Sequence, residues 1–225
     1  MEFELCDGAP VMLLLGGGHS PQGLGEVGAQ VPDLLPQVLQ VVGEISADAF
    51  ALIACHEIGH HLGGAPKYRG QWAANEGQAD YFATLKCMRE VFGADDNRSI
   101  IAGMNPPPVL VESCERSWGD GAAIATCIRS GMAGLSAAEL MRVLTGAPPI
   151  FFDLPDPDEV GETVDSHPAA QCRLDTYSAG ALCQVSSSED LSETNPSEGT
   201  CAVERGFVVG VRPRCWYLPG APADP

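Results

Sequence analysis

The clearest element in the hydrophobic pattern is "SADAFALIACHEIGHHLGG", residues 46–64, which predicts a helix. Ser46 or Asp48 can cap its start, its interior is rich in Ala, Leu and Ile, and Gly63-Gly64 followed by Pro66 stops it. A second long helix is expected over 71–92, "QWAANEGQADYFATLKCMREVF", ended by Gly93. Further helices are expected near 33–44, where Pro36 falls in a tolerant first turn, and near 118–130. "SAAELMRVL" opens with Ser136 and Glu139 at capping-box spacing and predicts another. Strands are expected within 3–18, with "VMLLL" the most strand-like, and in "GFVVGVRPRCWYL" near the C-terminus. "NPPP" (105–108) reads as a rigid connector and "SSSEDLSETNPSEG" (186–199) as a polar loop. The fold class expected is α+β: a helix-rich core over 1–150 with a small N-terminal sheet, then an acidic, cysteine-rich portion over 151–225 packed on it.

Composition narrows the partners. Hydrophobic residues make up 45% of the chain, too many for a disordered one, and no apolar run approaches the roughly 18 residues of a membrane span. The formal charge of −18 repels nucleic acid and anionic lipid. Residues 151–200 hold eleven acids against the single Arg173, which reads as a solvated acidic surface. "DLPDPDEVGE" lacks the spacing and glycine of an EF-hand loop, so calcium is not expected there.

Nine cysteines, none in a CxxC pair, point to disulfides in an oxidising compartment rather than to thiolate metal sites. Eight can form four bridges. The ninth is left free, and Cys55, inside the histidine-rich helix, is the expected free residue. "MEFEL" is acidic where a signal peptide is basic, which suggests a mature form behind an initiator Met.

The candidate chemistry lies in "HEIGH", residues 56–60. His56 and His60 stand at i and i+4, one above the other on a helix face, so both imidazoles can converge on one ion. Glu57 projects about 100° around the helix, toward a water beside the ion rather than the ion itself. A third ligand is needed. The metzincin pattern would put it at Pro66, which cannot ligate, whereas "ANEGQADYFA" supplies Glu76 on the next helix. Asp80, four residues on, lies on the same face and can accept the second N–H of a ligand histidine, expected to be His56.

HExxH followed by a helix bearing E-x-x-x-D resembles the gluzincin zinc metallopeptidases. "NEGQAD" is similar to the thermolysin group's N-E-x-x-S-D, with Ala79 in the serine's place. "EGQAD" and the later "SHPAAQCR" also resemble the prenyl-protein-protease and HtpX-type families. The resemblance covers residues 46–92 and 165–177 and leaves the family open. It implies a zincin-like core, Zn2+ held by His56, His60 and Glu76, Glu57 as general base, and His167 near the cleft as a donor to the oxyanion. His167 also reads as a plain loop histidine before a proline, and Arg173 as the partner of Asp175 or another local acid. His61 is expected to be structural and His19 to lie in an exposed loop.

The expected function is therefore a secreted or periplasmic zinc endopeptidase acting on protein or peptide. The alternatives are a disulfide-stabilised binding module with structural zinc, and a peptidase-derived inhibitor or adhesion protein.

Overall fold

A computed structural model describes residues 45–220, all within one compact unit. Seven α-helices follow in order: α1 (Ala47–Leu62), α2 (Glu76–Phe82), α3 (Met88–Phe92), α4 (Asn97–Ala102), α5 (Pro108–Ser117), α6 (Gly121–Thr145) and α7 (Ala170–Leu182). A π-helical turn, Ala83–Cys87, joins α2 to α3 without a break.

The α+β expectation is corrected. The described residues contain no strand, and their only β-type pairing is a single antiparallel bridge between Lys67 and Ala74. The strand expected over "GFVVGVRPRCWYL" is instead turns and bends. Gly206 and Gly210 take left-handed φ of 84° and 75°, and Pro213 removes a ladder donor. Val208 is 85% exposed, so the apolar run has no sheet face to bury. The strands within 3–18, the helix near 33–44 and His19 lie outside the described residues.

Local signals account for the helices. Ser46 caps α1 by accepting from the Ala49 N–H at 3.0 Å, and Asn75 caps α2 by accepting from Gln78 N–H. Asp120 caps α6, which runs through Ser136 as one 25-residue helix and ends on left-handed Gly146. The capping-box spacing at Ser136 thus marks no helix start. Its hydroxyl instead accepts from the Ser46 N–H, 90 residues away.

The core forms where α1, α6 and α7 meet the continuous α2–α3 rod. Leu52, Met88, Phe92, Ala133, Ala137, Leu174 and Tyr177 fill its centre. A second cluster, Tyr81, Leu85, Trp216 and Tyr217, joins the C-terminal turns to α2. Gly59 lets α1 and α2 touch: a Cβ there would lie 2.9 Å from Ala79 Cα.

Four disulfides staple this arrangement: Cys55–Cys87, Cys114–Cys127, Cys172–Cys215 and Cys183–Cys201. Cys55 is therefore bonded rather than free, and the ninth cysteine, Cys6, lies outside the described residues. Such a set belongs to an oxidising, non-cytosolic environment. Among the described residues no helix is long and apolar enough to cross a membrane.

Candidate metal centre

His56 and His60 lie on the side of α1 that faces α2, and the close helix contact at Gly59 brings them onto Glu76 in the first turn of α2. His56 Nε2 is 3.2 Å from Glu76 Oε2, and His60 Nε2 is 3.8 Å from the same oxygen. The two imidazoles meet edge to face with centroids 4.8 Å apart.

Each ring is aimed by its other nitrogen. His56 Nδ1 lies 2.7 Å from Asp80 Oδ1, and His60 Nδ1 lies 2.8 Å from the Ala74 carbonyl oxygen. With Nδ1 donating in both, Nε2 is the nitrogen that can give a lone pair to a cation once its proton has left. Ala74 is itself fixed, because its N–H donates to the His60 carbonyl at 2.9 Å.

This donor set fits a divalent ion. Bonds of about 2.0–2.1 Å at tetrahedral angles separate donor atoms by about 3.3 Å, against 3.2 and 3.8 Å from Glu76 Oε2 to the two imidazole nitrogens. Glu76 Oε2 is buried without a hydrogen-bond partner of good geometry, although three imidazole Nε2 atoms surround it. A cation held among these atoms would satisfy that oxygen. Burial opposes the charge on Glu76, yet the facing His167 and His56 imidazoles and the Tyr68 hydroxyl hold its pKa well below the usual carboxylate range.

Burial disfavours a positive charge on His56, but the adjacent Asp80 carboxylate outweighs this and pushes its pKa up to about 9. A cation ligated by His56 therefore has to displace a proton from the ring.

Asp80 is fully buried and serves several partners. Arg173 Nε and Nη2 donate to its two oxygens at 2.8 and 2.6 Å, and the Tyr177 hydroxyl donates to Oδ1 at 2.7 Å. Burial raises the Asp80 pKa, but the Arg173 charge dominates and brings it down to about 2. The partner of Arg173 is thus Asp80 rather than the expected neighbour Asp175, which accepts from Gln171 and the Asp156 N–H.

The remaining candidates divide. Glu57 is exposed on the solvent side of α1. His167 sits in the loop before α7 with Nε2 3.0 Å from Glu76 Oε2, its ring stacked 6.4 Å from His56. It therefore belongs to the site, in a loop that Asn75 secures by donating to the Val164 carbonyl. His61 is exposed and lies 4.9 Å from the Trp72 ring, outside the donor cluster.

Two site residues carried no signal in the sequence. Tyr68 donates from its hydroxyl to Glu76 Oε1 and stacks on His60 with centroids 5.9 Å apart. Tyr177 shares Asp80 with Arg173. A second acidic cluster, Asp156 with Cys172 and Cys215, is no thiolate site because the two sulfurs are bonded to each other.

The chain matches no family model, no curated protein and no solved structure.

Proposed function

We propose that the chain is a zinc-dependent peptidase of the gluzincin type, exported to an oxidising compartment, with His56, His60 and Glu76 holding the ion. The observation that supports this most is the meeting of two imidazole nitrogens and one carboxylate oxygen within 4.8 Å of one another, with the exposed Glu57 next to His56 in the chain.

When bound, zinc supplies Lewis acidity, which brings the pKa of a neighbouring water toward about 7 and polarises a substrate carbonyl. Glu57 takes a proton from the attacking water and returns it to the departing amine. His167, with Nε2 directed at the same space, donates to the carbonyl oxygen as negative charge collects there. Asp80, anchored by Arg173 and Tyr177, keeps the His56 ring in one tautomer and one orientation. The substrate is a protein or peptide chain.

One observation favours a second reading. The His167 Nε2 that lies 3.0 Å from Glu76 Oε2 is also placed to be a fourth ligand, which would close the site and make the zinc structural. The two readings part on Glu57→Gln. The peptidase reading predicts that this variant keeps its zinc while casein or peptide cleavage falls by roughly 10²–10⁴-fold. A parent protein that holds zinc yet cleaves nothing favours the closed site, and a Glu57→Gln variant that stays active removes Glu57 from the mechanism.

A further inference from the structure

Glu76 offers two carboxylate oxygens, and only one faces the histidines. Oε2 lies 3.2 and 3.8 Å from Nε2 of His56 and His60. Oε1 accepts the Tyr68 hydroxyl. We propose that Tyr68 is a positioning residue that holds Glu76 to one-oxygen coordination and so keeps a corner of the metal site open. The proposal rests on the reading of His56, His60 and Glu76 as zinc ligands.

Tyr68 is built for a fixed position. It lies in the loop between α1 and α2, where its N–H donates to the Ala73 carbonyl and its own carbonyl accepts from Gln71, each at 2.9 Å. The flanking Lys67–Ala74 bridge closes this turn, and Ala74 is the residue whose carbonyl orients His60. The ring then stacks on His60, so one side chain touches two of the three ligands. The phenol is half-buried, and its hydroxyl is aimed at Glu76 Oε1 as a donor.

The chemical consequence concerns coordination number. A carboxylate free to rotate can bind through both oxygens and occupy the position that a hydrolytic site reserves for water or substrate. A hydrogen bond committed to Oε1 opposes that rotation, because metal coordination by Oε1 would forfeit a charge-assisted bond. Tyr68→Phe removes this constraint and keeps the ring on His60.

The test is zinc affinity by chelator competition, together with the visible absorption of the cobalt(II)-loaded chain, for parent and Tyr68→Phe. The expected result is a loss of about 10–100-fold in zinc affinity, the usual cost of removing a partner of a metal ligand. The cobalt bands should also weaken, as the coordination number rises above four, while the metal-free variant keeps the parent's helical circular dichroism and cooperative unfolding. A variant with the parent's affinity and spectrum overturns the role of Tyr68 and leaves the metal site standing. A parent that binds neither zinc nor cobalt sinks the metal reading, and this proposal with it.

Discussion

Asp80 anchors the candidate site, since His56, Arg173 and Tyr177 all converge on its buried carboxylate. Asp80→Ala is expected to weaken zinc binding by about 10–100-fold through loss of the His56 partner. It is also expected to cost the metal-free fold about 3–5 kcal/mol, because Arg173 is left buried without its counter-charge. Chelator competition and denaturant unfolding measure the two effects separately. Half of this arrangement was legible in the sequence. Asp80 stands four residues after Glu76, so helical geometry alone puts both on one face. The Arg173 contact bridges 93 positions, and no local pattern encodes it; Asp175 was the nearer acid but is taken by Gln171. Tyr68 was equally hidden, since a loop residue has no periodicity to read. A different residue, Lys86, gives the molecule a pH signature. Burial, with the Arg89 charge adding to it, pushes its pKa down to about 8 from an ordinary 10.5. Between those values the unfolded chain binds a proton that the folded chain does not, so stability rises with pH across the window. Unfolding midpoints at about pH 7 and about pH 9.5 should show this rise in the parent and lose it in Lys86→Met.

At the scale of elements, the site is the product of two helices held in register. Gly59 sets how closely α1 approaches α2, and Cys55–Cys87 ties α1, beside His56, to the π-helical turn beyond α2. That bridge closes a sequence separation of 32, for which chain entropy gives about 3–4 kcal/mol of stabilisation. The Cys55→Ala/Cys87→Ala double variant is therefore expected to lose about that much stability and to bind zinc less tightly. Equal zinc affinity would show that helix packing alone fixes the donor atoms. The sequence located α1 well because cap, apolar interior and terminal glycines agree there. It placed the start of the next helix five residues early, because the stop signal of α1 and the cap Asn75 bracket a folded loop that reads as helical. It missed α7, whose buried Ala170, Leu174, Tyr177 and Ala181 follow helical spacing within a segment dominated by prolines and acids. The C-terminal apolar run misled in the opposite direction, since its glycines turn the chain before any strand can pair.

For the molecule as a whole, the described fold is a helical core with its later portion threaded back into it. Residues beyond 150 supply α7, the His167 loop and the Trp216 cluster, so the acidic segment is partly structural. Two of the four disulfides tie this framework away from the candidate site, one holds Cys172 beside Arg173, and one reaches the motif helix itself. The framework matters functionally because it holds residues from three distant stretches, 56–60, 68–80 and 167–177, around one small volume. Zinc K-edge X-ray absorption on the full chain loaded with one equivalent of zinc tests that convergence most directly. The account predicts a four-coordinate shell of nitrogen and oxygen at about 2.0–2.1 Å, with imidazole scattering that is lost in His56→Ala and His60→Ala. A sulfur shell at about 2.3 Å, or a shell indifferent to either histidine substitution, would contradict it.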